Sequence, residues 1–253
     1  MLITERESPI VIPPTFTPSD PAHSAAFIFL HGFGDDAAGL EGVARQYQSA
    51  EKLPYMKWII PNALENRNAM QKAWYTPASL SPFPSSRPEL DDPEDEDGMK
   101  FTVDYIVTLV DDLVSQGIPG NRIVLGGFSQ GCAMTLLTGL TSKYAGKLAG
   151  LVCLSGYLPL VDKISELRRK AGLPESVEDN VDVFIARGTR DMLIPKRYLQ
   201  ICQEKLKEMG VKESNIEARE YEGMGHAMGT AELRDLCTWF EKTVPPLIEM
   251  KEK

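Results

Sequence analysis

A serine with a glycine two residues before it and another two residues after it is the residue of this sequence best suited to nucleophilic chemistry. It is Ser129, in the segment Gly127–Gly131 with the sequence GFSQG. The apolar run Arg122–Gly126 precedes it, and a helical pattern over Gly131–Tyr144 follows it. A strand that turns sharply into a helix at Gly-x-Ser-x-Gly is a nucleophile elbow, which exposes the hydroxyl above the sheet. We predict that Ser129 is a nucleophile in a strained backbone conformation, at a helix N-terminus that favours negative charge.

A serine hydroxyl needs a general base to accept its proton. After a nucleophile elbow, the acid and then the histidine follow the serine along the chain. The sequence has three histidines, and only His226 follows Ser129. His226 lies in a glycine-flanked loop between the last predicted strand and the last predicted helix. We therefore predict His226 as the general base.

Four aspartates lie between the serine and this histidine: Asp162, Asp179, Asp182 and Asp191. Asp191 follows the apolar run Val181–Ala186, so it falls at the carboxyl end of a predicted strand, where catalytic groups gather in open α/β sheets. Its predicted role is to hold the tautomer of His226 and to stabilise the imidazolium. Asp162, after the run Gly150–Leu154, is the alternative acid.

The reaction also needs an oxyanion hole, which two backbone N–H groups form in this class of site. One donor should be the residue after the nucleophile, Gln130. The other should come from the loop Leu30–Asp35 after an early strand, and we predict Phe33 because it lies between two glycines. His31 in the same loop is predicted to brace the loop rather than act as a base.

Alternating apolar runs and helical patterns predict the elements that position these residues. Strands are expected at Ala26–Leu30, Lys57–Ile60, Arg122–Gly126, Gly150–Leu154, Val181–Ala186 and Ile216–Tyr221. Helices are expected at Ala37–Ala50, Lys100–Gln116, Gly131–Tyr144, Lys163–Ala171, Lys196–Met209 and Ala231–Lys242. This alternation predicts an α/β fold, with a mostly parallel sheet covered by helices on both faces. The 253 residues suit a single domain. We place it at residues 25–253, after an N-terminal arm over residues 1–24 with an edge strand around Ile10–Ile12.

A Pro-rich insertion at residues 76–98 interrupts the alternation. Its stretch Glu89–Asp97 carries seven acidic residues in nine. Carboxylates at this density cannot pack unpaired in a core, so we expect the stretch to be solvated. A plain surface insertion is the favoured interpretation. The alternative is a mobile rim of the site that disfavours anionic substrates.

Composition excludes several classes of function. The net charge of −9 argues against binding to nucleic acid or to anionic membranes. Neither a signal peptide nor an apolar run long enough for a membrane helix is recognisable, so we expect a cytoplasmic protein without integral membrane association. The cysteines show no metal-ligand spacing, so we predict four buried free thiols and no metal. The four cysteines are Cys132, Cys153, Cys202 and Cys237.

Four motifs in order resemble the phospholipase/carboxylesterase family: Leu30–Asp35, Gly127–Gly131, Asp191–Pro195 and Gly223–His226. The resemblance runs from about Ala26 to Val244, and within the family the chain is similar to the acyl-protein thioesterases. It implies a single α/β-hydrolase domain, no cofactor, and the same three catalytic residues and two amide donors. It also implies hydrolysis of thioesters or oxygen esters, including palmitoyl-cysteine on proteins and lysophospholipids.

The chain departs from the usual family pattern at several positions. Phe33 stands where leucine is usual, Cys132 where glycine is usual, and Arg187 where histidine is usual. Four side chains near strand ends are expected to line an apolar slot for substrate: Tyr157, Leu158, Leu193 and Ile194. The resemblance places two further substrate-binding residues, Trp74 and Tyr75, near the site entrance. The expected function is a serine hydrolase that cleaves acyl thioesters or carboxylic esters, with an acylated protein, a lipid or a small ester as its substrate. The alternatives are a carboxylesterase or lysophospholipase, and a non-catalytic binding protein on the same fold.

Overall fold

A seven-stranded sheet forms the centre of the fold. The computed structural model describes residues 6–77, 94–177 and 181–247, which contain nine strands and six α-helices. The strands are β1 Ile10–Ile12, β2 Ala25–Leu30, β3 Met56–Ile60, β4 Leu64–Asn66, β5 Gln71–Ala73, β6 Ile123–Phe128, β7 Gly150–Leu154, β8 Asp182–Gly188 and β9 Ile216–Tyr221. The helices are α1 Ala37–Ser49, α2 Glu96–Ser115, α3 Gln130–Thr141, α4 Ile164–Lys170, α5 Lys196–Glu208 and α6 Thr230–Thr243.

The strands of the large sheet lie in the order β1-β3-β2-β6-β7-β8-β9. Strand β1 is antiparallel to β3, and the other neighbours are parallel. Strands β4 and β5 form a separate hairpin. The predicted α/β fold class and the edge strand at Ile10–Ile12 are therefore confirmed. Because the central strands are parallel, the residues that follow β2, β6, β8 and β9 meet at one edge of the sheet.

Apolar side chains cover both faces of the sheet. Along β2, Ala26, Ile28 and Leu30 pack in one cluster, which also contains residues of α2, α3, α4 and α5. The alternate residues of β2 pack in a second cluster with α1 and α6. All six residues of this strand are fully buried, as expected for a strand with helices on both sides.

The predicted start of the second helix was wrong by four residues. The helix begins at Glu96 because the Asp95 side chain accepts a hydrogen bond from the Gly98 amide at 3.0 Å and so caps the first turn. Glu96 and Asp97 then lie in that first turn, where acidic side chains interact favourably with the helix dipole. An acidic run that suggested a loop therefore contains a helix N-terminus.

The expectation that the acidic run is solvated is wrong for Glu94 and Asp95, whereas Asp97 is exposed as expected. The Glu94 carboxylate accepts hydrogen bonds from the Tyr157 hydroxyl at 3.0 Å and from the Leu160 amide at 2.5 Å. Asp95 accepts a further bond from the Thr76 amide at 2.7 Å. Polar partners satisfy these carboxylates at a partly buried position, so they hold the end of the insertion in place. Residues 89–93 of the acidic run lie outside the described residues.

Among the helices of the described ranges, none combines the length and the apolar character needed to cross a bilayer.

Candidate active site

The turn between β6 and α3 is tight enough to require glycine on either side of Ser129. Ser129 itself has φ 55° and ψ −117°, a conformation that non-glycine residues rarely adopt. A Cβ at Gly127 would overlap the backbone of Gly131, and a Cβ at Gly131 would overlap the carbonyl group of Leu30. The strained elbow predicted from the sequence is thus present, and its hydroxyl stands at the N-terminus of α3.

A row of hydrogen bonds joins Ser129, His226 and Asp191. Nδ1 of His226 lies 2.8 Å from Oδ2 of Asp191, and its Nε2 lies 2.9 Å from Oγ of Ser129. A carboxylate only accepts hydrogen bonds, so Nδ1 carries the proton and Nε2 is left to accept one from the serine hydroxyl. The histidine ring also packs on Phe128, with 4.9 Å between ring centroids. The structure therefore brings together the three side chains that the sequence singled out.

The loops that carry Asp191 and His226 are bonded directly to one another. The Arg190 amide donates to the Met224 carbonyl at 2.9 Å, and the Gly223 amide donates to Oγ1 of Thr189 at 2.9 Å. A Cβ at Gly188 would overlap the Met224 carbonyl, so glycine is needed for this close approach. The alternative acid, Asp162, lies in a short 3₁₀ helix after β7, and the carboxylate beside His226 is that of Asp191.

Asp191 remains ionised although its side chain is buried. Burial alone would raise its pKa, but bonds from His226 and from the amides of Ile194 and Leu193 outweigh burial and lower the pKa. The two amides each donate to Oδ1 at 2.9 Å, which leaves Oδ2 for the histidine. The carboxylate is thus charged and aimed at the imidazole ring.

The loop that follows β2 lies against the elbow. A Cβ at Gly32 would lie 3.2 Å from a ring carbon of Phe128 and 3.4 Å from Cβ of Ser129, so this backbone packs closely against the elbow. His31 braces the loop, as predicted: its Nε2 accepts a hydrogen bond from the Ala63 amide at 3.0 Å, and its Nδ1 lies 2.7 Å from the Gly32 carbonyl. The amides of Phe33 and Gln130 donate to no other group within the described part of the chain. Both predicted oxyanion donors therefore have free N–H groups in the segments next to Ser129.

The side chain of Gln130 has a role that sequence reasoning missed. Its Oε1 accepts from the Trp74 amide at 2.8 Å, and its Nε2 donates to the Tyr75 carbonyl at 2.9 Å. Trp74 in turn donates from its indole nitrogen to the His31 carbonyl at 2.8 Å. These bonds join the elbow, the segment after β5 and the loop after β2. A glutamine at the start of a helix whose other residues carry no charge and are almost all buried is the sequence signal that could have indicated it.

The predicted substrate-binding side chains occupy three different environments. Trp74, Tyr75 and Leu158 are core residues with no more than 5% exposure. Tyr157 is half-buried, and its hydroxyl lies 3.0 Å from the Tyr75 hydroxyl. Ile194 is half-buried, and Leu193 is 46% exposed beside Asp191. Leu193 is thus the member of this set with the most surface available to a substrate.

The four cysteines are free and buried, as predicted. Burial raises the pKa of the thiols of Cys132 and Cys202, which keeps them protonated and poorly reactive. Across the described ranges, no cluster of three or more His, Cys, Asp or Glu side chains could hold a metal ion.

The fold and the elbow define this chain as an α/β hydrolase. The profile of the Phospholipase/Carboxylesterase family matches residues 13–244. The chain therefore belongs to the phospholipase/carboxylesterase family.

Relatives and solved structures agree with this assignment. The chain is 32% identical over 232 residues to acyl-protein thioesterase 1 of Yarrowia lipolytica, covering 90% of this chain and 95% of the relative. It is 36% identical over 233 residues to acyl-protein thioesterase 1 of Cryptococcus neoformans, covering 86% of this chain and 92% of the relative. The crystal structure of Zea mays acyl-protein thioesterase 2 superimposes with a TM-score of 0.73 at 25% identity, covering 93% of this chain and 98% of that one.

Proposed function

We propose that this chain is a serine hydrolase that cleaves acyl thioesters, and acts as an acyl-protein thioesterase. The observation that carries the proposal is the row of hydrogen bonds from Ser129 through His226 to Asp191 at the carboxyl edge of the sheet. A nucleophile, a base and an ionised acid within hydrogen-bond reach are the parts that acyl transfer requires. The names of the curated relatives supply the substrate class.

The geometry supports a two-step reaction. Nε2 of His226 takes the proton of the Ser129 hydroxyl while Oγ bonds to the acyl carbon. The negative charge that develops on the acyl oxygen is stabilised by the amides of Phe33 and Gln130. The carbon–sulfur bond then breaks, and His226 returns the proton to the departing thiolate. Water then attacks the acyl-enzyme by the same steps, with His226 as its base. The carboxylic acid is released and the Ser129 hydroxyl is restored.

A second candidate is hydrolysis of carboxylic esters or lysophospholipids by the same residues. The description of the matching family favours it, because that description names phospholipases and carboxylesterases. Thioesters and oxygen esters pass through the same acyl-enzyme, so the two candidates differ in leaving group and not in catalytic residues. A non-catalytic binding protein is disfavoured, because binding alone does not require the ordered row of three side chains.

The test is a matched pair of substrates with one acyl chain, one a thioester and one an oxygen ester, together with a palmitoyl-cysteine peptide. We expect turnover of the thioester and of the peptide, and labelling of Ser129 by a fluorophosphonate. The variant Ser129→Ala should lose on the order of 10⁶ in kcat with an unchanged thermal unfolding midpoint. Wild-type turnover by this variant would remove Ser129 as the nucleophile. Turnover of oxygen esters alone would favour the second candidate.

A further inference from the structure

A buried arginine lies directly behind the predicted catalytic aspartate. Arg187, the sixth of the seven residues of β8, is only 5% exposed. Its Nε donates to the Ile194 carbonyl at 3.1 Å, and its Nη2 donates to the Asp191 carbonyl at 3.3 Å. Those two carbonyls belong to the first and last residues of the turn in which Oδ1 of Asp191 accepts the amides of Leu193 and Ile194. One planar guanidinium thus spans the turn that aims the carboxylate.

A carboxylate on the neighbouring strand holds the arginine. Nη1 of Arg187 donates to Oε1 of Glu220 at 2.7 Å, and the two residues are register partners on β8 and β9. Lys196 bonds the other oxygen of Glu220 at 2.5 Å. The Lys196 bond, helped by Arg187 and opposed by burial, lowers the pKa of Glu220. The anchor is therefore ionised, as a buried guanidinium requires of its partner.

We propose that Arg187 is a positioning residue, which fixes the turn at residues 191–194 so that Oδ2 of Asp191 faces Nδ1 of His226. This inference rests on the proposed function, because it assigns Asp191 to the reaction. The three acceptors of Arg187 lie in different directions, and the rigid fork of a guanidinium can reach them together.

The variant Arg187→Met tests the proposal. It removes all three bonds but fills part of the same volume. We expect kcat to fall about 10- to 100-fold, because displacing a catalytic group by about 1 Å costs up to about 10². The KM should change by less than about threefold, because Arg187 is buried behind the turn and not at the surface of the site. The acidic limb of kcat/KM should move to lower pH, because an Asp191 carboxylate that has moved away stabilises the His226 imidazolium less.

The chain offers a matched control. Arg168 on α4 is 2% exposed and donates to the carbonyls of Leu140, Pro174 and Ser176. It resembles Arg187 in being a buried guanidinium that bonds backbone carbonyls, but none of those groups belongs to the candidate site. Arg168→Met should lower the thermal unfolding midpoint and leave both kcat and the acidic limb unchanged. A shift of the limb in this control as large as that in Arg187→Met would overturn the proposal.

Two further variants keep the test decisive. If Arg187→Met does not fold, Arg187→Lys carries the test, since it retains the charge beside Glu220 but cannot span both carbonyls. We expect a smaller loss of kcat with the same shift of the acidic limb.

In an Asp191→Asn background, Arg187→Met should cost less than about threefold in kcat, because the effects of residues that act through one another are not additive. An equal loss in both backgrounds, or an unmoved limb, would overturn the positioning role. Wild-type kcat in Asp191→Asn alone would instead overturn the proposed function.

Discussion

Two histidines at the same edge of the sheet have the same number of hydrogen bonds but different kinds of partner. His31 directly follows β2, and both of its ring nitrogens contact backbone groups, the Gly32 carbonyl and the Ala63 amide. His226 follows β9, and its ring nitrogens contact the side chains of Asp191 and Ser129. His31 is fully buried, whereas the side chain of His226 is 20% exposed.

The difference in partners decides whether each ring can accept a proton. The Ala63 amide can only donate, so Nε2 of His31 must stay unprotonated. Burial lowers the pKa of His31, which favours the same neutral form. Asp191, in contrast, is a carboxylate that stabilises an imidazolium, and the serine hydroxyl can give its proton to Nε2. A histidine at a sheet edge is thus equipped for proton transfer by its partners and not by its location.

The largest expected effect is the loss of the His226 ring. His226→Ala should reduce kcat on the order of 10⁶, because removing the base of a triad costs about as much as removing the nucleophile. His23→Ala is the matched control, since His23 lies in a short 3₁₀ helix before β2, and it should leave kcat unchanged. Steady-state kinetics on one thioester, with thermal unfolding of each variant, would check this. Comparable kcat values in the two variants would contradict the assignment of His226 as the general base.

The next effect in size concerns the carboxylate that distinguishes the two rings. Asp191→Asn should lower kcat about 10⁴-fold by favouring the wrong tautomer of His226. In the wild type, kcat/KM should fall on acidification, because a protonated base cannot accept the serine proton. In the variant this limb should lie at lower pH, because the imidazolium has lost its counter-charge. An acidic limb of kcat/KM at the same pH in both proteins would contradict the pairing of Asp191 with His226.

Local patterns sufficed to predict the strained serine, the histidine and the aspartate. A nucleophile elbow needs glycine where backbones cross, and the order of the three residues along the chain leaves only one histidine. The strands were predictable for a similar reason, since doubly covered parallel strands are continuous apolar runs, such as residues 25–30.

Interactions between distant parts of the chain could not be predicted in this way. The acidic neighbours of Glu94 in the sequence suggested a solvated loop. Its partners, Tyr157 and Leu160, are more than 60 residues away and could not be identified from the local pattern. The guanidinium of Arg187 bonds Glu220, 33 residues further along the chain. A single sequence lists charged residues but does not reveal which of them meet when the sheet forms.

A buried acid in the helix that follows His226 should make the stability of the fold depend on pH. Burial raises the pKa of Glu232, the third residue of α6, from 4.5 to about 7. Its neutral form therefore stabilises the fold fully below pH 4.5, and this contribution is lost as pH rises through about 7. Glu232→Gln stays neutral, so the variant should gain up to about 3 kcal/mol relative to the wild type between pH 4 and 8. Urea unfolding of both proteins at a series of pH values would measure this difference. A difference in unfolding free energy that does not change with pH would contradict the prediction.

His31 should show the opposite pH dependence. A lowered pKa means that its contribution to stability is present above its unfolded value of about 6.5 and is lost as pH falls below that value. His31→Gln removes the titration, so the wild type should lose stability relative to this variant on acidification. At pH 8 the two proteins should differ in stability by no more than about 2 kcal/mol, because the glutamine side chain also carries an oxygen that can accept a hydrogen bond from the Ala63 amide. If acid destabilised both proteins equally, His31 would not be the buried neutral base described above.

The smallest expected effect tests which side of the site receives an acyl chain. Leu193 follows Asp191 and is 46% exposed, so an acyl chain lying over the His226 edge would cover its side chain. On the His31 side, Met70 lies in the turn of the β4–β5 hairpin and is 86% exposed. Burying one CH₂ group stabilises a complex by about 0.8 kcal/mol. Because Leu193 is only partly exposed, an acyl chain would cover only part of its side chain. Leu193→Ala should therefore reduce the preference for dodecanoyl over butanoyl thioesters by no more than about fivefold. Met70→Ala should leave that preference unchanged. An equal loss in both variants, or none in Leu193→Ala, would mean that the acyl chain does not lie along the His226 edge.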